Sequence, residues 1–312
     1  MDASKVTISV IILSFNTKKY SEICLDKVVL AKEHFEKNGL GNCEIIVIDN
    51  ASNDGSLEMI RKKFPFIKLF PNKSNLGFAR GNNLGMSLAK GEYLLLLNSD
   101  AFVEKDTLVK SLSYLKENPG VDLLGCGLVY KGGKFQPSAG YLPSPLNVFF
   151  WMFFIDKIPM IAEMSAFHPN QKSFFRKDKK LGWVMGAFMF MKREVFEKTK
   201  GFDESYFMYT EEVEWCKRIS DAGFTTWFTP SFKIVHLKGG SSSSDVAKPI
   251  FLETDGILYY FKKHYPDYLL FVRVNLFFGY LLRFAVYAFS GKSNFSNAYL
   301  AMIRKGIWKK LP

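Results

Sequence analysis

Four acidic positions stand where side chains could do chemistry. Asp49 closes the run EIIVID and opens the polar stretch DNASNDGS. Asp100 closes YLLLLNSD, and Glu211 and Glu212 sit side by side in MYTEEVEW. A carboxylate at a strand end can accept hydrogen bonds from a ribose or a base. It can also help hold Mg2+ or Mn2+, hard cations usually bound through one or two carboxylates plus substrate phosphates. Asn98 projects to the same side as Asp100 by the two-residue repeat of a strand. His236, at the end of FKIVH, becomes a third ligand or a phosphate contact if a metal and a diphosphate are near it. Adjacent acids in the first turn of a helix can supply a general base. Each position also has a purely structural reading. Asn, Asp, Ser and Gly make turns and caps, acids favour a helix N-terminus, and a lone histidine often only satisfies its neighbours.

The elements that must position these residues alternate. Apolar runs predict strands at 6–14, 44–49, 66–70 and 93–98, separated by helical patterns at 19–37, 55–63 and 78–89. Such alternation predicts a mostly parallel sheet covered on both faces, whose ligands bind beyond the carboxyl ends of the strands. Those ends are Ser14–Phe15–Asn16, the stretch from Asp49 to Ser56, and Asn98–Ser99–Asp100. The segment NKSNLGFARGNN places Gly77, Arg80 and Gly81 at a helix start. Free N–H groups and a guanidinium there suit an anion, or the glycines serve close packing. Residues 131–180 read as irregular, with a strand at 183–191 and a helix after it. Thr210 is the expected cap of the Glu211–Glu212 helix, with Val213, Cys216 and Ile219 facing the core. Further strands are expected at about 225–229 and 232–240, a serine loop at 241–244, and helices from about 250.

Composition narrows the class. The 312 residues are 48% hydrophobic and carry a net charge of +12, enough for one large or two smaller cores and a preference for anions. Nucleic acid is disfavoured as the anion, because the lysines are scattered and no reading motif is present. The first strand lacks a following GxGxxG, which argues against a dehydrogenase, and GKS at 291–293 lacks the glycine of a P-loop. NASNDG imitates a calcium loop, but its twelfth position is Arg61 instead of a bidentate Glu. Cys24, Cys43, Cys126 and Cys216 are far apart and read as reduced thiols of a cytosolic protein. The apolar N-terminus lacks a basic flank and a cleavage site, so it reads as a buried strand and not a signal peptide. Residues 268–289 could cross a bilayer by length, but Arg273 and Arg283 interrupt them. An in-plane helix pair on an anionic leaflet fits better; the alternatives are a helical layer on the core and a dimer face.

Read in order, six segments carry a resemblance: SVIILSFN, EIIVIDNASNDGS, NLGFARGNNLG, LLLLNSD, GAFMFMKREVF and GFDESYFMYTEEVEWCKR, followed by His236. Over roughly 6–240 the chain resembles the inverting family-two glycosyltransferases of GT-A fold, particularly their bacterial rhamnosyltransferase-like branch. The resemblance implies an α/β GT-A fold, with a Rossmann-like, mostly parallel central sheet flanked by helices. It implies a glycosyltransferase domain over 1–240, with a nucleotide-sugar half (1–130) and an acceptor and catalytic half (131–240). A helical, membrane-interfacial extension would follow over 241–312. Ser14, Phe15, Asn16, Asp49 and Asn50 would contact the base and ribose of the donor, and Arg80 and Asn82 would line the same pocket. Asn98, Ser99, Trp183 and Gly186 would border the substrates.

Asp100, with His236, would bind Mg2+ or Mn2+, and Glu212 would be the general base with Glu211 in reserve. Two departures stand out: Asn98 replaces the first acid of a DxD motif, and Glu212 stands where the family commonly has a shorter Asp. The implied reaction moves a sugar, best rhamnose from dTDP-rhamnose, to a hydroxyl of a glycan or polyprenyl-linked glycan. The implied location is the cytoplasmic face of the cell membrane, with an anionic membrane surface and a second copy of the chain as candidate partners. Two competing readings are a sugar-phosphate nucleotidyltransferase, which would want glycines after the first strand, and a non-catalytic membrane-associated relative.

Overall fold

A computed structural model describes residues 5–237, 247–309 and 311. The serine loop expected at 241–244 lies outside them, as does the end of the strand expected to reach 240. Four parallel strands form the first half of the sheet, in the order Lys68–Pro71, Asn42–Asp49, Val6–Ser14 and Tyr93–Asn98. The three inner segments are apolar without a polar alternation because both faces are covered: Val10 through Ile12, Ile45 through Ile48 and Leu94 through Leu97 are all buried. The helix Lys18–Lys37 lays Cys24, Leu25, Val28, Ala31 and Phe35 on one face of the sheet. The helix Gly77–Leu88 covers the other face at very close range. A Cβ on Gly81 would come within 2.4 Å of Leu13, and one on Gly85 within 2.3 Å of Ile11.

The second half makes the sheet mixed. Phe188–Lys192 joins Tyr93–Asn98 antiparallel, followed by Leu123–Val129, Thr226–His236 and the short Ala101–Phe102. This return of residues 101–102 to the far edge brings the end of the longest strand beside Asp100.

Several expected boundaries differ. The single strand expected at 183–191 is broken in two. Trp183–Val184 pairs with Ala139–Gly140, while Phe188–Lys192 stays in the main sheet. At the break, Met185 N donates to Ser138 O, and Gly186 lies so close to Phe78 that a Cβ would be 2.9 Å from the ring. The two strands expected at 225–229 and 232–240 form one strand, Thr226–His236, with an irregularity between Thr229 and Lys233. Pro230 lies in that interval, where its missing N–H costs no ladder bond. The stretch read as irregular contains the helices Pro145–Met152 and Pro159–Ser165. A reciprocal capping box of Ser144 and Asn147 starts the first.

The C-terminal extension is helical: Ala247–His264, Leu269–Phe289 and Ser293–Lys305. It packs on the domain through Met152 at Gly279 and through Arg283, which donates to Trp151 O at 2.6 Å and lies 4.4 Å from the Phe154 ring.

Candidate active site

Three strand ends lie in register. Ser14 pairs with Asp49 on one side, and Leu13 pairs with Asn98 on the other. At about 4.8 Å per strand, Asp49 and Asn98 flank the first strand end at about 10 Å from each other. The side chains then divide into those that build the rim and those with capacity left for a ligand.

Ser14 belongs to the rim. Its hydroxyl is 3.1 Å from Ser21 Oγ, and Thr17 Oγ1 links this buried cluster to Ser99 Oγ at 3.0 Å. Ser14 and Ser99 therefore tie the first and fourth strand ends together. Asn16, exposed and at φ 52°, accepts from Asn53 N and donates its own N–H to Ser52, joining the two loops beside half-buried Phe15. Asn50 is saturated: it accepts from Asn72 and donates to Asn75 and to Gly77 O. Asn82 is buried and donates to Phe78 O.

The helix start at Gly77 offers less to an anion than its sequence suggests. Gly77 N donates to Asn75, Phe78 N donates to Phe207 O, and Arg80 pairs with Glu204 at 3.1 Å on the surface. Trp183 is buried with its indole N–H on Phe167 O, and Gly186 admits Phe78; both support the cleft from behind. Asp49 does keep capacity. One carboxylate oxygen accepts from Ser52 N at 3.0 Å, and buried Oδ1 has no hydrogen-bond partner among the described residues. Such an oxygen can accept a hydrogen bond from a hydroxyl or an N–H donor.

Asp100 and His236, far apart in the sequence, are brought together by the fold. His236 pairs with Ala101 across the antiparallel edge, and its Nε2 lies 3.4 Å from Asp100 Oδ1 and 3.5 Å from Asn98 Nδ2. Both residues are nearly buried. Their donor set, one carboxylate and one imidazole with an amide alongside, fits a divalent cation that takes its remaining ligands from phosphates and water. Among the described residues no third His, Cys, Asp or Glu joins them. Sequence inspection missed Gln136, whose Nε2 lies 3.1 Å from His236 Nδ1 while its Oε1 is buried without a partner. Turning that amide over would let Oε1 accept from Nδ1–H, leaving the Nε2 lone pair for a metal ion.

The acidic pair opens the helix Glu211–Asp221. Thr210 precedes it as expected, but its side chain makes no cap bond. Tyr209 and Thr210 both stand at φ 70°. Two successive left-handed non-glycine residues cost on the order of 1–3 kcal/mol each and persist where surroundings enforce them, commonly at active sites. The helix is anchored by Val213, Cys216 and Ile219 in the core and by Trp215, whose indole donates to Thr199.

Glu211 is buried, and its carboxyl is raised well above the ordinary range by that burial and then by Glu212. Burial also raises Glu212, to about 7; its own backbone amide and His168 draw it down, and Glu253 pushes it up. Both carboxyls of the adjacent pair are thus raised, Glu212 to about 7 and Glu211 well above the ordinary range. Each has a buried Oε2 without a hydrogen-bond partner among the described residues. His168 and Glu253 carried no sequence signal, since one sits in a stretch read as irregular and the other in the extension. Glu214, one turn on, is fully buried and receives Arg218, Lys263 and His264.

Comparison with known proteins bears on the family and the fold. Residues 9–200 match the family model of glycosyl transferase family 2. An N-acetylglucosaminyl-diphospho-decaprenol L-rhamnosyltransferase of Mycobacterium tuberculosis is 27% identical over 222 residues, 65% of this chain and 69% of its own. The rhamnosyltransferase WbbL of Escherichia coli is 24% identical over 241 residues, 73% of this chain and 82% of its own. In fold, the chain is similar to a mannosyltransferase from Pyrobaculum calidifontis solved with GDP-Man and Mn2+. The TM-score is 0.58 at 16% identity, over 99% of this chain and 89% of that one.

Proposed function

The chain belongs to glycosyl transferase family 2, and on that premise we propose that it is an inverting transferase moving rhamnose from dTDP-rhamnose to a hydroxyl of a polyprenyl-linked glycan. The observation that carries the reaction type is the acidic pair: Glu212 is a carboxylate near neutrality, held by a helix that starts from two strained residues. The identity of the sugar rests on the two rhamnosyltransferases above. The lipid-linked acceptor rests on the Mycobacterium relative.

In this reading Glu212 accepts the proton of the acceptor hydroxyl as its oxygen bonds to the anomeric carbon. The bond from that carbon to the nucleotide diphosphate breaks on the opposite face, so the configuration inverts without an enzyme nucleophile. Glu211, protonated and buried, holds the helix start and adds no competing negative charge. Asp49 receives the nucleoside through its unpartnered Oδ1. Asp100 and His236, supported by Gln136 and flanked by Asn98, would hold Mn2+ or Mg2+. When bound, that ion supplies Lewis-acid stabilisation of the leaving diphosphate.

The extension suits a membrane surface. Among the described residues one helix, Pro266–Phe289, is apolar and long enough to cross a membrane by composition, but its inner face is occupied by the domain. Both of its arginines are engaged by protein: Arg283 is buried against Trp151 and Phe154, and Arg273 reaches Lys309 O. Leu270, Phe271, Val274, Phe278, Leu282 and Phe289 are left exposed. This supports in-plane seating on the cytoplasmic leaflet, where a lipid-linked acceptor would be met. A panel of nucleotide-sugars with Mg2+ or Mn2+, scored for released nucleotide diphosphate, tests the activity. Turnover of dTDP-rhamnose is expected, with no turnover in Glu212→Gln; turnover only of another donor would overturn the sugar assignment.

A further inference from the structure

We propose that the helix Ala247–His264 is a positioning element of the active site, in which Glu253 paired with His168, and Gly256 seated on Thr210, hold the Glu211–Glu212 turn in its working geometry. The proposal rests on the reading of Glu212 as the base.

Three contacts, spaced along one side of this helix, fall on the acidic helix, its launch point or the histidine beside it. Glu253 Oε1 is 3.0 Å from buried His168 Nε2, a close approach without hydrogen-bond geometry. His168 is itself confined among rings, with centroids 3.9 Å from Phe167, 5.0 Å from Trp151 and 5.4 Å from Trp183. One turn on, Gly256 brings bare backbone against the strained residues. A Cβ there would lie 2.5 Å from Thr210 Oγ1, 2.6 Å from its Cβ and 3.1 Å from Tyr209 O. Two turns further, Lys263 and His264 reach Glu214 Oε1 at 2.8 and 3.2 Å. Positions 253, 256, 260 and 264 share one face of a helix, and Tyr260 between them is fully buried.

This arrangement seats the bare backbone of Gly256 directly against the two left-handed residues, Tyr209 and Thr210. It also places an imidazole and a carboxylate beside Glu212. His168 and Glu253 act on Glu212 with opposite signs, alongside Glu211 in the same turn. Asp156 also acts on His168, and is itself raised by burial and drawn down by Arg283 and Lys157. The far side of the helix is bound to the rest of the extension through Thr254 Oγ1, 2.6 Å from Tyr280 Oη. Residues beyond the transferase core therefore set the geometry of its base.

The test uses the full chain, with His168→Gln, Glu253→Gln, their double variant, Gly256→Ala, and Gly256→Ala combined with Thr210→Gly. The readouts are kcat, donor KM, the pH profile of kcat and the melting temperature. A displacement of about 1 Å at a catalytic group can cost on the order of 100-fold in rate. Gly256→Ala is expected to lower kcat at least about tenfold with donor KM within twofold, and Thr210→Gly is expected to restore part of that loss by removing the overlapping side chain. The two charge variants are expected to lower kcat, and the double variant to be no worse than the poorer single one, as for a pair acting as a unit. His168→Gln is expected to move the acid limb to higher pH.

The proposal is overturned if these variants keep kcat within twofold of the parent while Glu212→Gln is inactive. It is also overturned if kcat falls only in step with donor affinity or folded fraction. An active Glu212→Gln would instead remove the base assignment.

Discussion

His236 Nε2 lies 3.4 Å from Asp100 Oδ1, although the two residues are far apart in the sequence. The short antiparallel pairing of Ala101 with His236 makes that contact. Asp100→Asn and His236→Ala are each expected to abolish Mn2+-dependent binding of a nucleoside diphosphate, measured by calorimetry. Binding at parental affinity in either variant would exclude that residue as a ligand.

Gln136 orients His236 from behind. Loss of a group hydrogen-bonded to a metal-ligating histidine typically costs about 10–100-fold in metal affinity. Gln136→Leu should therefore weaken Mn2+ binding by that factor with little change in donor affinity when metal is saturating. Titration of Mn2+ against nucleotide release measures both.

The pH dependence of kcat should carry an acid limb near 7, because Glu212 must be ionised to accept a proton. Glu212→Gln is expected to remove about 10²–10⁴-fold in rate, the usual contribution of a general base. An acid limb in the ordinary carboxylate range would point to a different base.

The same group should oppose stability. Its folded pKa is raised from 4.5 to about 7, so the native state holds more protons than the unfolded chain between those values. Stability is expected to fall as pH rises through that window, by about 3 kcal/mol at most. Glu212→Gln should consequently melt higher than the parent at pH 8, with the difference vanishing toward pH 4.

Glu214 should behave in the opposite sense. Burial alone would raise it, but hydrogen bonds from His264, Arg218 and Lys263 and the Arg218 charge bring it down to about 2. Its contribution of about 3 kcal/mol is present above the ordinary glutamate pKa and lost as pH falls through about 2. Glu214→Gln should cost about 3 kcal/mol at pH 7, because the partly exposed Arg218 and Lys263 and the half-buried His264 lose the buried carboxylate they converge on, as read by urea unfolding.

On the extension, replacing Phe271 and Phe278 with Glu should abolish binding to phosphatidylglycerol vesicles and leave transfer to a short soluble acceptor unchanged. Full vesicle binding by this variant would reject the membrane face; a shift from dimer to monomer would assign the same stripe to a second copy.

Much of this was legible in the chain because it depends on local pattern. Leu94 to Leu97 must be covered on both faces, so Asn98 and Asp100 emerge at the strand end. The same logic delivers Asp49 and Ser14 to one edge, since parallel strands align their carboxyl ends. What the pattern of 131–180 obscured was the pair of short helices there, whose apolar runs lack a clear period. The break at 185–187 was equally hidden, because Phe78 and Ser138 decide it from elsewhere in the fold.

The roles of individual polar residues divide along the same line. By residue type Asn50 and Asp49 are equal candidates for a ligand, yet Asn50 is saturated by Asn72, Asn75 and Gly77 while Asp49 keeps an unpartnered oxygen. Glu211, Glu212 and Glu214 are one residue type within a single turn, and burial and partners separate them into two carboxyls pushed up and one held down by its cations. Hydrophobic periodicity and turn chemistry act over a few residues, so the sequence alone determined the parallel strands of the first half and the acidic positions at their ends. Desolvation and pairing depend on groups far along the chain, such as His236 at Asp100 and Gly256 at Thr210. Those were decided only by the tertiary structure.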